Sequence, residues 1–251
     1  MTYEEFLQLT EKNLKRFFPE SFQERKVEIR EVLKNNNIKL QGVYLSGSPS
    51  YTSVPLLYLE SYYQELENGK KLEDVWQNIA RDYQKCQETA ITIDGISSKE
   101  WDYETIKKGL TVYVRNAQEN VDFLADCPHE IREDLALVYG FHVLVDGEKD
   151  GSAIINYDRL KWLGVSEEQL KQDAWENMKQ SNPPCFLDLQ DMLAKMYFDE
   201  PGDVKAGSLE HLEDVDPNAM MYVLTNSNQV NGAVYMCDEE VMSLIAEKLG
   251  S

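Results

Sequence analysis

Apolar positions at the start of the chain recur with a helical period. In MTYEEFLQLTEKNLKRFF, Phe6, Leu9, Leu14 and Phe17 form one stripe, and Thr2 with Glu5 makes a T-x-x-E capping box. This predicts a first helix that ends before Pro19. The period then changes to two. VEIREVL from Val27 and IKLQGVYL from Ile38 flank KNNN, which predicts a β-hairpin, because asparagine tolerates positive φ. Val27, Ile29 and Leu33 are expected on one face of the first strand, and Ile38, Leu40 and Tyr44 on one face of the second. GSPSYTS from Gly47 reads as a loop, and PLLYLE from Pro55 as a third strand. The clearest helix follows: Leu72, Val75, Trp76, Ile79, Ala80 and Tyr83 are apolar at helical spacing among polar residues. Laid across a three-stranded sheet, it would bury that stripe.

From Trp101 to Asp126 the pattern predicts helix with a break at Gly109. LALVYGFHVLV from Leu135 is apolar on both faces, as a central strand is. VDGEKDGS turns the chain and AIINY returns as a strand. Between Asp158 and Asn177 the chain reads DRLKWLGVSEEQLKQDAWEN: an amphipathic turn, a glycine hinge and a capped helix. Ser166 is the expected N-cap, with Gln169 closing a capping box and Trp162 and Val165 stapling onto Leu170. FLDLQDMLAKMYF predicts another helix, and the acid-rich stretch 199–216 a solvated loop. Ala219 to Leu224 and Gly232 to Met236 predict a second hairpin around TNSNQVN. Asp238 is the expected cap of a last helix that runs to Leu249. The expected fold class is α+β, with antiparallel sheet units and flanking helices. Residues 1–90 are expected to form a hairpin–strand–helix unit and residues 91–251 a second α+β unit, expected to pack with the first as one globule.

Charge changes the picture more than composition does. With 45 acidic and 25 basic residues among 251, the net charge is −20. Such a chain is disfavoured on a phosphate backbone or an anionic membrane and favoured on a basic protein. The partner expectation is therefore a basic protein, with no nucleic acid and no membrane. No apolar run reaches the ~20 residues of a membrane span, and the acidic N-terminus is unlike a signal peptide, so a cytoplasmic location is expected. Cys86, Cys127, Cys185 and Cys237 lie far apart without a CxxC pair, which predicts free thiols. Cys127 and His129, split by Pro128, are the one close Cys/His pair and make a poor metal site. No metal and no cofactor are expected.

No residue pattern names a catalytic centre. There is no G-x-S-x-G elbow and no glycine-rich phosphate loop. His142, inside FHVLV, is expected to be buried and bonded to a backbone carbonyl. His129 is expected at a helix start, and His211 in water. Adjacent acids such as Glu73–Asp74 and Glu167–Glu168 point apart on a helix and belong to its first turn. The binding candidates are polar clusters. Tyr62 and Tyr63, in ESYYQELENG, either line a groove or pack a sheet edge on the Trp76 helix. Asn116 and Asn120, beside Arg115 with Asp134 soon after, make either a binding cluster or a structural network. Asn226, in TNSNQVNG, is either a ligand contact or a turn residue.

Taken in order, MTYEEFL, VEIREVLKNNNIKLQGV, YLESYYQELENGKKLEDV, RNAQENVDFLADCPHEIREDLALVY, WLGVSEEQLKQDAWEN and MYVLTNSNQVNGAVY resemble the family known as domain of unknown function 5688. The collinear match spans nearly the whole chain. WLGVSEEQLKQDAWEN alone also looks like a module of domain of unknown function 1444. The resemblance implies an uncharacterised bacterial protein, often near mobile-element genes, and no activity. It also implies a further segment rich in Pro, Ser, His and Glu after the last helix. The chain ends at Ser251, as a short or a truncated member would. From the missing motifs and the strong negative charge, two functional classes are expected. The first is a non-catalytic binding or regulatory protein, in one form an acidic mimic of nucleic acid. The alternative is an enzyme without a recognisable motif, such as a hydrolase with a Cys or carboxylate assembled from distant segments.

Overall fold

Thr2 opens the first helix, α1 (Tyr3–Asn13), as its capping box predicts. Its Oγ1 accepts from Glu5 N at 3.2 Å, and Glu5 Oε2 accepts from Thr2 N at 2.9 Å. The computed structural model describes residues 1–47, 55–147, 149–190, 192–193, 221–226 and 230–250. The fold is α+β, with antiparallel sheets and flanking helices. Two compact units divide it. One comprises Met1–Thr105, Glu119–Phe123 and Val143–Gly151, the other Ile106–Gln118, Leu124–His142 and Ser152–Ser251.

In the first unit, β1 (Lys26–Leu33) and β2 (Lys39–Ser46) form the expected hairpin, and β3 (Leu57–Tyr58) pairs with β2. Asn36 and Asn37 take φ of 60° and 52° in the connection, the conformation asparagine was expected to supply. The inward face of β2 differs from the sequence reading. Val27 pairs with Leu45 and Ile29 with Val43, so Val43 and Leu45, each 1% exposed, face the core. Ile38 is exposed and Tyr44 sits opposite Glu28 on the other face. Pairing partners in an antiparallel ladder share a face, so the register decides which half of a mixed strand turns inward.

ESYYQELE is not a sheet edge but a helix, α2 (Glu60–Glu67). The chain then enters α3 (Leu72–Glu88), which buries Val75, Trp76, Ile79, Ala80 and Tyr83 as its spacing predicts. These pack with Phe6, Leu14, Phe18, Val27, Val43, Leu45 and Leu59. Two polar bonds pin this core. Trp76 Nε1 donates to Thr10 Oγ1 at 2.9 Å, and Leu45 N donates to Tyr83 Oη at 3.1 Å. A tight hairpin joins β4 (Ile91–Ile93) to β5 (Ile96–Ser97) through Asp94 and Gly95, both at positive φ as such a turn demands.

The predicted helix from Trp101 to Asp126 is largely absent. Only α4 (Tyr103–Lys107) and α5 (Val121–Leu124) are α-helical; between them lies a strand, β6 (Leu110–Asn116). Its Leu-Thr-Val-Tyr-Val run suits a pleated sheet better than a helix. β6 pairs with one side of the long strand β8 (Leu135–Val145) and β7 (His129–Arg132) with the other, both along the part of β8 that lies in the second unit. Ala136 to Tyr139 are accordingly at most 3% exposed, as expected of a central strand. His129 thus begins a strand, not a helix, and its Nδ1 lies 2.9 Å from Cys127 O. His142 is exposed rather than buried, with its ring edge-to-face against Tyr113.

After β9 (Lys149–Ile154), Asn156 caps α6 (Tyr157–Leu163), Gly164 closes it at φ 71°, and Ser166 starts α7 (Glu167–Ser181). Gln169 N donates to Ser166 Oγ at 3.1 Å, and Trp162, the larger of the two expected staple residues, is half exposed. Of the helix expected over FLDLQDMLAKMYF, residues 189–190 and 192–193 are helical, but Phe186, Leu187 and Asp188 are not. β10 (Pro184–Asp188) pairs instead with β11 (Tyr222–Asn226). Gly232–Cys237 is a 3₁₀ turn and not the return strand of a second hairpin. Asp238 caps α8 (Glu239–Leu249), as expected. The 199–216 loop, His211 and most of the Gly47 loop lie outside the described residues.

Candidate functional site

A groove of about 440 Å³ opens on the second unit, lined by Arg132, Gln172, Trp175, Glu176, Lys179 and the segment 237–240. Helical spacing on α7 builds one wall. Leu170, Asp173, Ala174 and Met178 turn one stripe of α7 inward. Gln172, Trp175, Glu176 and Lys179 recur at i, i+3, i+4 and i+7 and make a second stripe, which borders the groove. The buried stripe holds the helix in place. Asn177 Nδ2 donates to Lys108 O at 3.1 Å and Leu110 O at 2.8 Å, and Asp173 pairs with Lys107 Nζ at 2.7 Å.

The opposite wall is the start of α8. Asp238 is 8% exposed, and its Oδ1 accepts from Glu240 N and Val241 N at 3.1 and 3.3 Å. That cap projects Glu239 and Glu240 from the first turn, where the helix dipole favours acids. Lys179 spans the walls, reaching Asp238 Oδ2 at 2.8 Å and Glu240 Oε2 at 3.3 Å. From β7, Arg132 reaches Glu130 at 2.5 Å and Glu239 at 3.3 Å, while Lys171 of α7 also pairs with Glu130.

These pairs set the protonation states. Burial alone would raise the Glu130 carboxyl, but its bonds to Lys171 and Arg132 hold it below the ordinary range. Burial would lower Lys179, but Asp238 and Glu240 push it above its ordinary value. Burial pushes the Cys237 thiol up, with Glu130 adding to it and Arg132 opposing. The groove therefore presents Glu176, Asp238, Glu239 and Glu240 against two cations, Arg132 and Lys179, both already engaged by carboxylates. Trp175 is its one aromatic wall. The excess of carboxylates makes the groove electrostatically suited to a cation, and burial works against ionisation of its Cys237 thiol. Among the described residues no group of three or more His, Cys, Asp or Glu could hold a metal ion. No helix among them is long and apolar enough to cross a membrane.

None of the residues expected from the sequence to bind a ligand lines this groove. Tyr62 and Tyr63, neighbours on α2, diverge: Tyr62 Oη donates to Asp82 at 3.0 Å and Tyr63 Oη to Met1 O at 2.9 Å. Asn116 and Asp134 sit at one end of the β6–β8 ladder, where Ala117 N donates to Asp134 O at 2.8 Å. Asn120 belongs to the first unit, where its Oδ1 accepts from Asn36 N at 2.7 Å. Asn226 is 4% exposed and clamps Val230 through both its N–H and its carbonyl. Asp238 was legible only as a cap. The polar i, i+3, i+4, i+7 stripe of α7 was a usable signal for Trp175, whereas nothing local marks Arg132 as its neighbour.

No curated protein and no solved structure matches the chain. One family model does, over residues 3–251, and its description is "Family of unknown function (DUF5688)".

Proposed function

This chain belongs to the family of unknown function DUF5688, and we propose that it is a non-catalytic binding protein whose partner is a basic protein, received at the groove of its second unit. The observation that carries the reading is the imbalance within the groove, four carboxylates against two cations that those and neighbouring acids already engage. The overall charge of −20 acts in the same direction, because it draws a basic partner in from a distance. The thiols add support. A catalytic cysteine needs a lowered pKa, yet burial, with Asp126 adding to it, pushes Cys127 up to about 11. Cys86 is raised by burial and by Asp82.

Affinity capture from the native host tests this, with the chain and an E176Q/E239Q/E240Q variant as parallel baits. Retention of basic proteins by the first bait, their release by salt, and their loss from the variant are expected. An identical retained set on both baits, or one without basic proteins, overturns the reading.

A further inference from the structure

We infer that the groove recognises an arginine side chain of the partner, which stacks on Trp175 and takes Glu239 from the chain's own Arg132. This deepens the reading above and rests on it.

The groove already demonstrates the chemistry it selects. Arg132 holds Glu130 at 2.5 Å and reaches Glu239 only at 3.3 Å. Glu239 is 89% exposed and Glu240 77%, so both carboxylates stand at the mouth, and among the described residues each makes one long ion pair. Exposed pairs of this kind are weak and exchange readily. Arg132 keeps Glu130 when it leaves Glu239, so the exchange strands no buried charge. Lys179 likewise keeps Asp238 at 2.8 Å when Glu240 turns outward. Two carboxylates thus become available without breaking the pairs that hold α7, β7 and α8 together.

An acidic rim alone would not select arginine. Trp175 supplies the second element. It is half-buried on the α7 wall, between Gln172 and Lys179, in a cavity large enough for a side chain and its flanking backbone. A planar guanidinium stacks on an indole face while its edge donates in fork geometry to a carboxylate; an ammonium, a compact hydrated point charge, can approach the ring as a cation but has neither the plane nor the fork. Glu176 is already in contact with Gln172 Nε2 at 2.8 Å, which leaves Glu239 and Glu240 as the fork's acceptors.

The test follows the Trp175 indole N–H by NMR in the intact chain, assigned by W175F. The probes are capped glycine peptides carrying two arginines, two lysines or two citrullines. The arginine peptide is expected to shift the Trp175 signal saturably, the lysine peptide to bind several-fold more weakly, and citrulline not at all. E239Q/E240Q should weaken arginine binding roughly tenfold. R132Q should strengthen it, by up to about fivefold, because an internal competitor worth an exposed ion pair is gone. A purely structural Arg132 would give no gain. Equal binding of arginine and citrulline, or weaker binding in R132Q, overturns the inference. Polyarginine separates this from the broader reading. Salt-sensitive binding of polyarginine that leaves Trp175 unmoved defeats the groove assignment and spares the basic partner. Failure of polyarginine to bind defeats both.

Discussion

Replacing Trp76 with alanine removes the largest side chain that α3 contributes to the core of the first unit. The indole is 7% exposed, lies against Phe17 with ring centroids 5.8 Å apart, and donates to Thr10 Oγ1 at 2.9 Å. Truncating a buried aromatic costs ~3–5 kcal/mol through lost transfer energy and the cavity left behind. Thr10 is fully buried, so its hydroxyl loses its donor as well, at about 1 kcal/mol more. With a urea slope of about 2 kcal/mol per molar, the midpoint should fall by about 2–3 M. Trp76→Phe separates the two effects, since it keeps a ring but deletes the N–H. Thr10→Val should cost less in the Trp76→Phe background than in the wild type, with a coupling of about 1 kcal/mol. Urea unfolding followed by circular dichroism reads all five proteins, the wild type, the three single variants and the double variant. A midpoint that moves by less than about 0.3 M for Trp76→Ala removes Trp76 from the core. Strictly additive costs would leave the packing intact and refute the Trp76–Thr10 bond.

Gly232→Ala should unfold the β11 region or abolish soluble expression, because a Cβ there would sit 2.2 Å from Thr225 Cα. Gly164→Ala, with φ of 71° and nothing within 4 Å of its Cβ, should cost only about 1 kcal/mol in thermal unfolding. Alkylation of the native protein should label Cys86 first and leave the buried Cys127 and Cys185 untouched until denaturant is added, after which all four thiols react. Stability should fall at acid pH more steeply in the wild type than in Glu130→Gln. The Glu130 carboxyl is lowered in the folded state, so its contribution is present above the ordinary carboxylate range and disappears as pH drops through the folded value. Parallel acid limbs for the two proteins would contradict that ion-pair network.

The elements that were legible in the sequence carry their own signals. The Thr2 box, the Asn turn, the α3 stripe, the Ser166 and Asp238 caps and the doubly apolar β8 are all encoded within a few residues. The elements that were misread depend on distant partners. LTVYV lies beside helix-forming neighbours and becomes a strand through pairing with β8. Phe186 and Leu187 become strand through pairing with β11, over thirty residues on. The inward face of β2 was a choice between Leu40 and Val43 that only the register to β1 settles. The groove was hidden for the same reason. Trp175 and Lys179 lie on one helix, but Arg132 and Glu239 come from β7 and α8, and no spacing along the chain links them.

The most direct test of a basic partner at this groove is a salt titration. Binding of a dye-labelled arginine peptide and of a labelled DNA duplex is followed by anisotropy from about 50 to about 200 mM salt. The wild-type chain should bind the peptide, weaken steeply as salt rises, and lose most of the affinity in E239Q/E240Q, while the duplex shows no binding at any salt. Tight, salt-sensitive binding of the duplex, or peptide binding indifferent to both salt and the two substitutions, would contradict the account.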